Sequence, residues 1–214
     1  MRKSLNEDWL RIRLEIFKKY TVPSILNQTN QDFEWIVYCH PDSPQWLIEE
    51  LMLIDKVQVS FEYWYHKTLD LDTDILIISR VDSDDILHKD YMKHIHEYTD
   101  TFIDSYFDQQ VYTFNNGYVF DGKSITQVSN KRGPFHTLFS KTQDNKRNCQ
   151  VYHHSHQVIN GELPTFYNTE DTGWMYIRHE DQISGCDFEE KEPQESIDTL
   201  DAFGIKIPEE NNND

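Results

Sequence analysis

Three carboxylates, Asp82, Asp84 and Asp85, follow directly on an apolar run, residues 75–78, within the segment Asp74-Ile-Leu-Ile-Ile-Ser-Arg-Val-Asp-Ser-Asp-Asp85. In extended chain Asp82 and Asp84 point the same way, because side chains alternate along a strand. Hard oxygen ligands at this spacing suit Mg²⁺ or Mn²⁺ shared with substrate phosphates, since such ions keep few protein ligands and fill their shell with water and phosphate. The alternative is an acidic turn whose Asp84 or Asp85 caps a helix beginning near Ile86. An EF-hand calcium loop is excluded, because Ile86 and Leu87 occupy the places of a ligand and of the turn glycine. Without a cation the acids repel, so Asn at 82 and 84 is expected to leave the fold intact and to raise thermal stability.

An element must deliver these acids. Residues 75–78 read as a strand buried on both faces, and in open α/β sheets ligands bind at the carboxyl ends of strands. Upstream, Ser4 with Glu7 predicts a capping box opening an amphipathic helix to about Tyr20, and Pro23 starts a short helix over 24–28. A strand over 34–39, a helix from Ser43-Pro44 to Leu53 and a strand over 57–63 follow. This alternation predicts an α/β layer with a mainly parallel sheet. The second half reads as β-rich: 111–114 and 118–121 flank Asn115-Asn116-Gly117, a hairpin signal, followed by extended stretches at 124–129, 135–140 and 174–178. The polar residues 141–148 read as a mobile loop. Residues 1–188 are taken as one domain, and the acidic, asparagine-rich 189–214 as a poorly ordered tail.

The chain has 214 residues and a net charge of −18, which argues against unassisted binding to nucleic acid or to an anionic membrane. An anionic substrate therefore calls for a metal or a local basic cluster. Cys39, Cys149 and Cys186 form no CxxC pair and suggest no disulfide framework, so a cytoplasmic location is expected. No apolar run is long enough to span a bilayer, and the first eight residues lack a signal-peptide core. Of His153, His154 and His156, only the last two share a strand face, which favours a polar edge over a zinc site. Trp64 and Trp174, near expected strand ends, are candidates for stacking on sugar rings.

Residues 20–38, Tyr-Thr-Val-Pro-Ser-Ile-Leu-Asn-Gln-Thr-Asn-Gln-Asp-Phe-Glu-Trp-Ile-Val-Tyr, resemble the start of nucleotide-sugar glycosyltransferases of the GT-A fold, and 80–85 resembles their DxD motif. The ordered set Pro23-Ser24, Gln28-Thr29, Phe33-Glu34-Trp35, 80–85 and Gly173-Trp174-Met175 to His179 is similar to the rhamnosyltransferase family of bacteria. The resemblance implies a GT-A-like fold and a nucleotide-sugar donor whose sugar, rhamnose by the family name, passes to a glycan or other hydroxyl acceptor. It implies Mn²⁺ or Mg²⁺ at Asp82 and Asp84, with Asp85 joining through water or capping the next helix. Arg80 either pairs with an acid or reaches the donor. His179 is either a late metal ligand or diphosphate contact, or a surface histidine at a strand end. Asp171, with Glu170, resembles the acidic pair that supplies the general base of inverting relatives. The family's first strand, which lies between its second strand and the DxD strand, has no counterpart before the first helix. Two rival functions are a non-catalytic GT-A-like domain binding a glycan or protein, and a different metal-dependent enzyme acting on phosphate esters.

Overall fold

The computed structural model describes residues 6–61, 68–70, 73–130, 133–142, 146–148, 163–179, 189–193 and 200–205. Helix α1 (Glu7–Ile16) is capped by Asn6, whose Oδ1 accepts the Trp9 N–H at 3.0 Å. The cap expected at Ser4 thus falls to Asn6, which also accepts through a short side chain; Ser4 lies outside the described residues. The chain does not stop at Tyr20. It widens into a π-helical turn, Phe17–Thr21, and continues as α2 (Val22–Leu26), with Pro23 in the first turn, where no N–H is required.

Strand β1 (Trp35–Tyr38), helix α3 (Gln45–Met52) and strand β2 (Val57–Ser60) form a right-sized parallel unit. Leu47, Ile48 and Leu51 of α3 are buried, the i, i+1, i+4 stripe that turns one helix face inward. Next come β3 (Thr68–Asp70), β4 (Ile75–Ser79), β5 (Ile86–Leu87), α4 (Tyr91–Ile103) and β6 (Gln109–Phe120). The chain then supplies β7 (Ile125–Ser129), β8 (His136–Lys141), β9 (Lys146–Asn148), β10 (Thr165–Ile177) and β11 (Glu189–Pro193). Seven strands make one mixed, curled sheet in the order β11-β7-β6-β10-β5, with β8 bridging β6 to β4.

The mainly parallel sheet expected from the helix–strand alternation is corrected. Among the described residues only β1–β2 and β6–β10 pair parallel, whereas β4–β8, β6–β8, β6–β7, β10–β5, β11–β7 and β3–β9 are antiparallel. Long β6 is the cause: its first half pairs β8, its second half β7, and its other side β10 throughout, so the β-rich half of the chain supplies most of the sheet. For the same reason β4 is not a doubly covered central strand. It pairs with β8 alone among the described residues, and only Ile78 in it is fully buried.

Two local expectations also change. Ile86 and Leu87 do not begin a helix; they are 0% and 1% exposed and pair antiparallel with Met175 and Trp174, and the helix waits until Tyr91. Asn115-Asn116-Gly117 is not a turn but the middle of β6. A Cβ at 117 would stand 2.2 Å from the Trp174 ring, so glycine there serves close approach rather than a hairpin. The turn lies five residues on, at Gly122 with φ +89°, where Asp121 Oδ1 accepts the N–H groups of Lys123 and Ser124.

The main core joins Leu10, Leu14 and Phe17 to Tyr91, Ile95, Phe102, Phe114, Phe139 and Trp174. A second cluster joins Ile86, Ile125, Met175 and Ile177 to Leu200, Phe203 and Ile205. Within the acidic stretch 189–214, β11 therefore adds a strand and three apolar side chains close a core. Among the described residues no helix is long and apolar enough to cross a membrane.

Candidate functional site

The loop between β4 and β5 carries the three acids, and the antiparallel pairing of β5 with β10 sets their height against His179, two residues past the end of β10. The connection is short: Asp85 N–H donates to Asp82 C=O at 3.2 Å, closing a turn over Ser83 and Asp84. On the other side stands α1. Its buried stripe runs Leu10, Arg13, Leu14, Phe17, an i, i+3, i+4, i+7 face with a guanidinium at one position.

That guanidinium is the centre of the site. Arg13 Nη1 donates to Asp84 Oδ2 and lies 3.2 Å from His179 Nε2, while Nη2 donates to Ser83 Oγ at 2.8 Å. His179 Nε2 is itself 3.0 Å from Asp84 Oδ2, which calls for a hydrogen on Nε2. The Arg13 and Asp84 side chains are each 14% exposed, so the pair is largely withdrawn from water. Burial by itself would push the Asp84 carboxyl up, but the hydrogen bonds and charges of Arg13 and His179 outweigh it and hold the group below its usual range. Among the described residues, two buried nitrogens at this centre, Arg13 Nε and His179 Nδ1, have no hydrogen-bond partner, and neither has Trp9 Nε1 on the turn of α1 before Arg13.

Asp85 behaves differently from its neighbours. It is buried and its Oδ1 accepts the Ile177 N–H at 3.2 Å, so it ties the acidic loop to β10 and caps no helix. Burial, then the charges of Asp84 and Asp82, push its carboxyl well above the usual range. Asp82 faces outward, with Arg80 Nη2 at 3.3 Å from its Oδ1. Of the two roles open to Arg80, pairing with an acid is the one seen.

Asp84 and His179, expected as cation ligands, are therefore brought together, with Asp82 and Asp85 alongside in the same loop. Two ligand atoms 3.0 Å apart match adjacent positions around an ion with bonds of about 2.1 Å. Among the described residues no three His, Cys, Asp or Glu side chains converge, but Mg²⁺ and Mn²⁺ sites of this kind draw one or two protein ligands and take the rest from phosphate and water. The Arg13 guanidinium already sits on Asp84 Oδ2, and His179 as the Nδ1–H tautomer would offer Nε2 as a second ligand, so the donor set fits a cation.

Asp171 and Glu170 are not brought to this centre. Asp171 Oδ2 accepts from Asn168 Nδ2 at 2.9 Å and lies 3.7 Å from His94 Nδ1, and Glu170 is exposed with its N–H on Asn168 Oδ1. Through the bulges of β10 this cluster stands roughly 15 Å along the strand from Ile177, at about 3.3 Å per paired residue. Trp174 is fully buried with Nε1 donating to Phe114 C=O at 3.0 Å, so it stacks on no sugar. Trp64 and the histidines at 153, 154 and 156 lie outside the described residues, as do Cys149 and Cys186. Burial pushes the Cys39 thiol up to about 11, leaving it inert at neutral pH.

Arg13 is the residue that sequence reasoning passed over. It is 71 positions from Asp84, and its one sequence signal is a charge interrupting the apolar stripe of α1. No curated protein shows significant similarity to the chain. Residues 2–191, most of its length and all of the elements that build this site, match one family, and the chain belongs to it: the family described as "Putative rhamnosyl transferase".

Proposed function

We propose that the chain is a GT-A-like glycosyltransferase that moves a sugar from a nucleoside-diphosphate donor to a hydroxyl of a glycan or related acceptor. The observation that carries this reading is the Arg13–Asp84–His179 centre, a cation-holding pair of ligands at the end of β4 in a chain of a transferase family. Rhamnose as the sugar follows from the family description alone. In the reaction the bond from the sugar carbon to the diphosphate breaks, its electron pair leaves with the nucleoside diphosphate, and the acceptor oxygen bonds the same carbon as its proton passes to solvent water. Asp84 and His179, with Asp82 and Asp85 beside them, would hold Mn²⁺ or Mg²⁺, which would supply Lewis-acid neutralisation of the leaving diphosphate. Asp85, through Ile177, fixes the loop against β10 so that Asp84 and His179 keep their spacing. Arg80, paired with Asp82, adds positive charge on the donor side. Asp171 and Glu170 are better placed to bind acceptor hydroxyls than to take the proton at the sugar carbon, in a cluster bordered by the half-exposed rings of Phe166 and Tyr167.

Calorimetric titration with a panel of nucleoside diphosphates and nucleotide sugars tests this, with Mn²⁺ and then with chelator. Binding of one base with its sugar, lost in Asp84→Asn, is the expected result; no binding of any donor would sink the transferase reading. One observation favours a second reading, a GT-A-like domain that binds a glycan or protein without transfer. The β1–β2 pair and β4 belong to separate ladders among the described residues, where the resemblance implies a strand joining them. Glycan binding without any donor binding would support it.

A further inference from the structure

Resting on the transferase reading, we infer that Arg13 is an exchangeable cation: its guanidinium holds Asp84 beside His179 when no metal is bound, and moves to the donor's diphosphate when a divalent ion takes Asp84 and His179 as ligands. The geometry gives both halves. Nη1 donates to Asp84 Oδ2 and stands 3.2 Å from His179 Nε2, which is itself 3.0 Å from that oxygen, so the guanidinium fills the space a metal ion would need to bond both atoms. Arg13 therefore competes with the metal in the absence of donor. Its other donors are not all engaged: Nη2 bonds Ser83, but Nε is buried with no partner, and Trp9 Nε1, one turn earlier on the same face, is likewise unpartnered. Both are N–H groups that can only donate, so the element they share calls for an acceptor. The Nε–Nη2 edge of an arginine is one of its two bidentate forks and matches two oxygens of a phosphate.

Charge fits the same sequence of events. With Arg13 on the largely buried Asp84 and Arg80 on the outward-facing Asp82, these two acids of the loop are each matched by one guanidinium, and a diphosphate gains little by approaching. Once Asp84 has a divalent ion, the Arg13 guanidinium is surplus positive charge, which a diphosphate neutralises. Arg13 is thus a positioning and donor-binding residue contributed by α1, and the metal and donor bind cooperatively because each draws Arg13 the same way.

The test uses the full chain, with Mn²⁺ alone and inorganic diphosphate as probes, and reads binding rather than turnover. Arg13→Gln is expected to bind Mn²⁺ about tenfold more tightly than the unaltered chain without donor, and to bind diphosphate in the presence of Mn²⁺ at least tenfold more weakly. Opposite shifts of the two affinities are the signature, because a merely structural arginine would weaken both. Unchanged or weaker Mn²⁺ binding in Arg13→Gln overturns the inference, as does unchanged diphosphate binding, and so does Mn²⁺ binding to neither form. If Arg13→Gln fails to fold, Ser83→Ala decides: releasing Nη2 should tighten Mn²⁺ severalfold, and no change overturns the proposal. A donor that binds equally well in chelator would defeat the exchange yet keep the transferase. Opposite shifts with no nucleotide sugar bound would defeat the transferase and keep the exchange.

Discussion

Gly117→Ala places a methyl carbon 2.2, 2.3 and 2.4 Å from three atoms of the Trp174 indole. The ring is fully buried, meets Phe135 edge-on at 6.2 Å and donates Nε1–H to Phe114 C=O, so it has no empty space to move into. If the ring were expelled, losing 150–250 Å² of burial at about 25 cal/mol per Å² would cost about 4–6 kcal/mol, and the lost hydrogen bond about 1 more. If β6 and β10 instead part locally, the cost is that of overpacking, about 1–3 kcal/mol. The expected loss is about 3 kcal/mol, the cheaper end of these routes, or about 6–12 °C in melting temperature for a chain of this size. Urea unfolding followed by tryptophan fluorescence and calorimetry would measure it, in the natural background and again with Trp174→Ala. Alanine at 117 should cost less than about 1 kcal/mol once the ring is gone. An equal cost in both backgrounds, or a cost below about 0.5 kcal/mol in the natural one, would refute the packing argument and return Asn115-Asn116-Gly117 to the status of a turn.

Asp84→Asn should lower stability by about 2–4 kcal/mol in metal-free buffer, because it strands a largely buried Arg13. This is opposite in sign to the gain expected from acid repulsion alone, and a melting-temperature rise would refute it. The Asp84 contribution is present above its unfolded value of about 3.9 and is lost as the pH falls through its lowered native value, so the variant should show a shallower acid limb. Asp85 has the opposite sign: its raised native value makes its contribution full below about pH 3.9 and lost as the pH rises through that value. Asp85→Asn keeps an acceptor for the Ile177 N–H and should gain on the natural chain as pH rises, by up to about 1.4 kcal/mol per unit, in chelator; parallel stability curves would contradict this. Phe203→Ala removes a ring that is 1% exposed and packs edge-on against His88 at 5.3 Å, and should cost about 3–5 kcal/mol in urea unfolding. A neutral result would show that 200–205 is no part of the core.

The elements set by local pattern were legible: the strand at 75–79, the strand and helix of 35–52 and the acids following an apolar run all appear within a residue or two of expectation, and the strand expected over 57–63 starts at Val57 but ends at Ser60. What failed was decided by distant partners. Ile86-Leu87 looks like a helix start until Trp174 and Met175 are known to lie beside it, and Gly117 looks like a turn until the same tryptophan is seen against it. The acidic stretch beyond 189 hid three core residues because composition averages Leu200, Phe203 and Ile205 with their polar neighbours. In the site, Asp84 came from its spacing after an apolar run and His179 from a resemblance, and the two meet in space. Arg13 did not, because spacing arguments reach a turn of helix or a pair of strand positions, and no local rule spans 71 residues.

The edge position of β4 bears on how this chain meets other chains. Ile75-Leu76-Ile77-Ile78-Ser79 hydrogen-bonds on one side to β8, and among the described residues no strand pairs with its other side. Such an edge normally carries a lysine, a proline or a bulge that discourages pairing, and this one carries four aliphatic side chains with guarding charges only at Asp74 and Arg80. Left bare, it is a template for an intruding strand, and the short β-prone, uncharged segment has the makeup from which stacked, self-propagating sheets grow. Among the described residues, β4 is thus the place where an extended segment of this chain or of another would add to the sheet.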